Sequence, residues 1–382
     1  MADPDIDELT GPALSAAEAA RLAELRELLA GCDLAGDAHP ADALAKVVAA
    51  GFLADCVPAE HGGTERSITF AARAVEEVAV ASPSLAWLLT IQYGLHFLLP
   101  TLTSGGGGEY FAEIATNGAL LAGSHARSGL AVTRDGADLV VTGVLRYCSG
   151  APVARWITTT ADLPEGGGTV FIRDDTPGIR CEPSTELHGM RGSLTGFVHL
   201  DGVRVPPHRV HPFLDLNDPS VRPPACRYFG GWHSLLLQNA VFVGAARGAI
   251  AVATPILGAR GGRLGPAGSA LLEAALGAAA TDLLQARAIL YSRVGRLEAA
   301  ALAGTEQRNA ADPAHTALLS SIAALAFSAV SRLVEHGGGA TLLTANPLEA
   351  YWRDVQLARV AEGTQRTSAT HELGHALAAR AR

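Results

Sequence analysis

The hydrophobic period of this chain changes twice, and that pattern admits few architectures. Apolar residues first recur at helical spacing. Leu22, Leu25, Leu28 and Leu29 follow a capping-box start at Ser15 and Glu18, and Ala71, Val75, Val78 and Ala79 resume the period after a turn-rich break at 57–63. Helical texture covers 13–55 and 67–102. Near residue 118 it gives way to short stretches rich in Val, Thr and Ile at 130–134, 138–142, 155–160, 168–172 and 196–205, with Asp135-Gly136 as a hairpin turn. This block reads as an antiparallel barrel or sandwich ending near Pro206-Pro207. From about 232 the helical period returns over 240–257, 268–301 and 314–335, the pattern of a helical bundle. The expected fold is α+β and multidomain: an N-terminal helical domain (1–117), a central antiparallel β-barrel (118–225) and a C-terminal four-helix bundle (226–382).

Composition narrows the partners. The chain has 382 residues, 48% of them hydrophobic and 18% charged, enough apolar material for a sizeable core. A formal net charge of -9 without a long basic run argues against nucleic acid. The acidic start has no apolar stretch of signal-peptide length, and no uninterrupted apolar run reaches the ~18 residues of a membrane span. The five cysteines are far apart, form no CxxC pair and suit free thiols in a reducing compartment. The expectation is a soluble cytoplasmic protein that binds neither membrane nor nucleic acid.

Four local segments carry more than texture. The first is Pro58-Ala59-Glu60-His61-Gly62-Gly63, followed by Val75-Glu76-Glu77. The second runs from Gly143 through Tyr147-Cys148-Ser149-Gly150 to Trp156. The third is His188-Gly189-Met190-Arg191-Gly192-Ser193-Leu194-Thr195, leading to Asp201-Gly202-Val203-Arg204-Val205-Pro206. The fourth is Gly338-Gly339, Pro347, Trp352-Arg353-Asp354 and Glu362-Gly363-Thr364. In this order they resemble the acyl-CoA dehydrogenase superfamily over roughly residues 40–370.

The resemblance implies an FAD enzyme. Its dehydrogenase branch removes the α-proton of an acyl thioester with a Glu base while the β-hydrogen leaves as hydride to flavin N5. Glu362, eight residues after Asp354, takes the base position. A carboxylate in an apolar pocket has the raised pKa that such a base needs. On the same carry-over, Tyr147 replaces a Trp against the flavin ring, with Cys148 beside it. Ser149 donates a hydrogen bond near N5. Ser124, Gly338, Gly339 and Thr364 line the flavin, and Arg191 and Gly363 line the substrate. Arg260, with Arg263 as competitor, reaches the flavin pyrophosphate of a neighbouring subunit. A homodimer or homotetramer follows, as does an electron acceptor.

Other segments depart from that branch. Residues 123–129 replace an expected T-E-P-x-x-G-S-D, Ser234 stands where an Arg is usual, and Glu273 where a Gln is usual. These changes leave the acyl carrier open between CoA and a carrier protein. Ser84-Leu85-Ala86-Trp87, Ser149-Gly150 and Trp352-Arg353-Asp354 also resemble the two-component flavin monooxygenases of the same superfamily. Those take reduced flavin (FAD, or FMN) from a partner reductase and hydroxylate an aromatic or an amine with oxygen. They commonly carry a His one position before Glu362, where this chain has Ala361. On that ground α,β-dehydrogenation by Glu362 is the expected activity, monooxygenation the alternative, and a non-catalytic scaffold of the same fold the third possibility.

His371-Glu372-Leu373-Gly374-His375 fits the zinc-protease pattern H-E-x-x-H. The upstream chain has no zincin architecture and Gly374 weakens a helix, so a solvated tail without metal is expected. His188 and His336 each adjoin a glycine motif and are noted as candidates for the flavin pocket.

Overall fold

The computed structural model describes residues 13–32, 34, 37–102, 107–124, 129–163, 166–184, 186–213, 230–302, 313–361 and 366–380. Five helices come first: α1 (Ala16–Ala30), α2 (Ala41–Ala49), α3 (Ile68–Ala81), α4 (Pro83–Leu102) and α5 (Gly108–Asn117). The capping box at Ser15 forms, and Glu18 also accepts from the backbone N–H and hydroxyl of Ser67, the N-cap of α3. One carboxylate thus ties two helix starts together. The helical region expected over 13–55 is two helices, because Gly31 caps α1 and Pro40 opens α2.

Eight strands follow: β1 (Leu121–Ser124), β2 (Ala131–Asp135), β3 (Asp138–Cys148), β4 (Trp156–Leu163), β5 (Gly166–Arg173), β6 (Ile179–Pro183), β7 (Gly196–Val205) and β8 (Val210–Pro212). They form two four-stranded sheets, ordered β1-β4-β5-β8 and β2-β3-β7-β6. The expected barrel is therefore not closed, and β1 pairs β4 in parallel. A physical reason lies at the β1 edge. The buried Gln92 amide from α4 donates to Leu121 O at 2.8 Å and accepts from Leu121 N at 2.9 Å, filling ladder positions that a closing strand would need. The Asp135-Gly136 hairpin forms as expected, with Asp135 opposite Asp138. Leu139, Val141, Leu145, Cys148, Val198 and Val203 of one sheet bury against Ala122, Ile157, Val170 and Ile172 of the other.

The last part is helical: α6 (Gly230–Leu302), α7 (Pro313–Gly337), α8 (Pro347–Val355) and α9 (Arg366–Arg380). Gly265 has non-helical angles (φ 78°, ψ -174°) and Pro266 follows it, so α6 is two helices joined at a sharp break. Two stretches, Leu235–Ala299 and Ala314–Gly337, are long and apolar enough by length and composition to cross a membrane, which uninterrupted runs did not reveal. In their most apolar windows, 61% and 50% of the residues are buried inside the protein.

A buried charge network joins the first and last helical parts. Glu76 of α3 lies 2.9 Å from Arg287 Nε and 2.9 Å from Arg247 Nη1, both on α6, and accepts from the Tyr291 hydroxyl. Glu76 is 1% exposed and Arg287 fully buried. A second junction holds α5 to the sheets: Glu113 accepts from Trp156 Nε1 at 2.8 Å and from Arg173 Nη1 at 2.9 Å.

Candidate flavin site

Three segments far apart in sequence gather with the N-terminal end of α4. Gly192 packs so closely that a Cβ there would lie 3.1 Å from Ser84 Cβ and 2.8 Å from Ala38 O. Gly150 sits against Leu88 of the same helix, with its N–H donating to Ser193 O at 2.9 Å. Gly189 rests on α8, where a Cβ would come 2.2 Å from Arg353 O. Segments 84–87, 147–150, 188–195 and 352–354 are thus one structural unit.

Its centre is a line of hydroxyls. Trp87 Nε1 donates to Ser149 Oγ at 3.1 Å; Ser149 Oγ is 2.5 Å from Thr195 Oγ1; Thr195 Oγ1 is 2.9 Å from Ser193 Oγ; and Ser193 Oγ donates to Met190 O at 2.7 Å. Proton counting fixes the direction. An indole N–H only donates and a carbonyl only accepts, and each hydroxyl has one proton. Ser193 spends its proton on Met190, so Thr195 donates to Ser193 and Ser149 donates to Thr195. Ser149 therefore keeps a lone pair and no spare proton. Within this line the Ser149 proton goes to Thr195, so the expected donation from Ser149 to a flavin would compete with that bond. Trp87 and Thr195 are the residues that sequence reasoning missed as partners, although both lie in motifs that it singled out.

Tyr147 stands at a bulge of β3, between the register points Arg146 and Cys148, with φ 61° and its side chain 72% exposed. The ring lies 6.2 Å from that of Phe197 and is otherwise open, close in the chain to the buried Ser149. Cys148 does not point to that face: its thiol is buried in the sandwich core, and burial pushes its pKa up to about 12. Ser124 ends β1, its carbonyl accepting from Thr159 Oγ1 at 2.8 Å. Arg191 is engaged by Asp37 at 2.9 Å and donates to Leu187 O.

Arg353 and Asp354 divide their roles. Arg353 bridges Glu349 at 2.6 Å and Asp37 at 2.7 Å, and its Nη1 donates to the carbonyl of His188 at 3.3 Å. The His188 ring meets Trp352 edge-on. Asp354 Oδ1 accepts from Met190 N at 2.5 Å, and burial raises its carboxyl to about 6.

A second cluster forms at the break in α6. Arg260 Nη1 donates to Gly337 O at 3.2 Å, and a Cβ on Gly338 (φ 78°) would lie 2.2 Å from that nitrogen. Arg260 Nε is buried without a hydrogen-bond partner. Arg260 and Gly338 are brought together, and Gly339 follows in the chain; an unspent guanidinium N–H in a glycine cradle fits a phosphate group. His336 instead bonds back to Arg332 O, within α7. Glu362, Gly363 and Thr364 lie outside the described residues; Ala361, before them, is buried. His371 and His375 lie exposed on α9, the C-terminal helix, with ring centroids 6.4 Å apart. Among the described residues no group of three metal-ligating side chains occurs.

Comparison with known proteins decides the family. Residues 15–106 match the acyl-CoA dehydrogenase N-terminal domain, and residues 236–366 match the acyl-CoA dehydrogenase C-terminal domain, together more than half of the chain. The chain belongs to the acyl-CoA dehydrogenase family. It is a flavin-dependent oxidoreductase, and FAD is the family's cofactor. Relatives fall on both sides of the reaction choice. An FADH(2)-dependent resorcinol hydroxylase, oxygenase component, from Rhizobium sp. (strain MTP-10005) is 26% identical over 339 residues, covering 82% of this chain and 82% of that protein. A cyclohexane-1-carbonyl-CoA dehydrogenase from Geobacter metallireducens is 32% identical over 174 residues, covering 41% of this chain and 45% of that protein. The HsaA monooxygenase from M. tuberculosis shares the fold, with a TM-score of 0.74 at 22% identity over 94% of this chain and 96% of that one.

Proposed function

We propose that this acyl-CoA dehydrogenase family member is the oxygenase component of a two-component flavin monooxygenase, hydroxylating an aromatic or an amine. One observation carries this: the hydroxyl line leaves Ser149 as an acceptor only. By the family resemblance Ser149 is the hydroxyl beside flavin N5. Reduced flavin carries a hydrogen on N5 and needs an acceptor there, whereas oxidised flavin presents a bare nitrogen and needs a donor. A monooxygenase binds the reduced form, and a dehydrogenase starts from the oxidised form. The likeness to a hydroxylase named as FADH(2)-dependent, over 82% of both chains, is compatible with the same choice.

Bound reduced flavin supplies the two electrons by which one oxygen atom enters the substrate and the other leaves as water. The protein's own part is positioning. Trp87 and Thr195 lock the Ser149 hydroxyl, Tyr147 offers an aromatic face, and Arg260 with Gly338 offers a phosphate cradle. Reduced flavin would come from a separate reductase.

A second reading keeps the dehydrogenase activity, because Glu362 stands eight residues after Asp354 and Ala361 precedes it. Here Glu362 takes the α-proton of an acyl thioester, on CoA or a carrier protein. Anaerobic titration separates the two. The monooxygenase reading expects reduced FAD or FMN to bind at least about tenfold tighter than the oxidised form. It also expects Thr195→Val, which frees the Ser149 proton, to remove most of that preference, since one hydrogen bond of about 1.4 kcal/mol is worth a factor of about ten. Tightly held oxidised FAD that an acyl thioester bleaches without oxygen would overturn it.

A further inference from the structure

The turn that carries Thr195 is in a conformation that its own residues resist. Met190 (φ 53°) and Leu194 (φ 50°) are both left-handed and neither is glycine, and the short 3-10 turn Arg191–Ser193 lies between them. Backbone of this kind persists where surrounding contacts over-determine it, and it clusters at functional sites. The contacts that hold this turn can be followed outward. Ser193 N–H and Oγ both donate to Met190 O, closing the turn on itself. His39 Nδ1 donates to Gly192 O at 2.8 Å, and Gly192 presses on Ala38 and Ser84. At the left-handed Met190, the backbone N–H points into α8, where Asp354 Oδ1 accepts it.

Asp354 is suited to that one task. It is 8% exposed, and its neighbour Arg353 is already taken by Glu349 and Asp37. We propose that Asp354 is a positioning residue for the flavin-facing hydroxyl: by holding the Met190 N–H it fixes the strained 190–195 turn, and through Ser193 and Thr195 it fixes Ser149. Met190 is the joint, since its backbone N–H meets Asp354 while its carbonyl takes the last proton of the hydroxyl line. Ser193 O also accepts the Gly150 N–H, so backbone as well as side chains couples the turn to segment 147–150. The consequence for flavin preference rests on the proposed function; the hold on the turn does not.

Hydrogen exchange of the full-length, flavin-free protein tests the hold. Asp354→Ala is expected to speed amide exchange about tenfold in peptides spanning both 190–195 and 147–153. Asp354→Asn, which keeps an acceptor at Oδ1, is expected to exchange no faster than wild type, whereas Asp354→Leu, which fills the space without an acceptor, is expected to show the acceleration. Where the alanine variant does not fold, Asp354→Glu, which displaces the oxygen by one methylene, is expected to show the same acceleration. Unchanged exchange over 147–153 in the folded disrupting variant overturns the proposal. Reduced-over-oxidised flavin affinity is measured on the same proteins, and the ratio is expected to fall several-fold in Asp354→Ala and to recover in Asp354→Asn. A ratio that Thr195→Val shifts and Asp354→Ala does not overturns Asp354's positioning role while leaving Ser149's role standing. If neither variant shifts the ratio but exchange responds, the reading of Ser149 falls and the hold on the turn stands.

Discussion

Replacing Glu76 with Gln keeps the shape of the side chain at the α3–α6 junction and removes its charge. Arg287, fully buried, then faces a neutral partner. At an effective dielectric of about 20, charges 2.9 Å apart attract by roughly 6 kcal/mol. Part of this is offset because Gln no longer pays the desolvation of a carboxylate. Arg247 keeps a second partner in Glu77 at 3.4 Å and is 22% exposed on its side chain, so its charge is the smaller concern. Removing one member of a buried pair costs about 3–5 kcal/mol, and that is the expected destabilisation of Glu76→Gln. Arg287→Met should cost a similar amount, and the double variant should recover at least about 2 kcal/mol relative to the sum of the singles. Urea denaturation followed by circular dichroism, on all four proteins, measures the coupling. Additive losses would refute the claim that Glu76 and Arg287 stabilise one another across the two helical parts.

The Asp354 carboxyl, at about 6 in the folded protein against an ordinary 3.8, contributes stability that is fully present below pH 3.8 and lost as pH rises through 6. At about 1.4 kcal/mol per pH unit, Asp354→Asn should therefore gain about 3 kcal/mol over wild type at pH 8 and about half that at pH 5. Thermal melts at the two pH values check the sign as well as the size. Gln92→Leu strips the Gln92 amide from both backbone groups of the buried Leu121 and should cost about 2–6 kcal/mol in chemical denaturation, at about 1–3 for each orphaned group. Gly338→Ala places a Cβ 2.2 Å from Arg260 Nη1 at φ 78°, displacing the guanidinium. Flavin retained per chain after gel filtration is expected to drop several-fold, with little change in secondary structure.

What the sequence determined by itself was local or periodic. The order helices–strands–helices, the Ser15 capping box, the Asp135-Gly136 hairpin and the breaks around Gly and Pro depend on residues within a few positions of one another, and all are present. The family motifs were legible for the same reason, since each is a short string. Tertiary structure alone decided how the strings meet. Ser149 and Thr195 are 46 positions apart, and Met190 and Asp354 are 164 apart. No period or propensity encodes which hydroxyl faces which, because that depends on how α4, the sheets and α8 pack. The parallel β1–β4 pair and the open sandwich are of the same kind, settled by Gln92 reaching an edge from another element. Segment 147–150 shows both sides: its string pointed to flavin, but only the packing brings Trp87 and Thr195 onto the Ser149 hydroxyl.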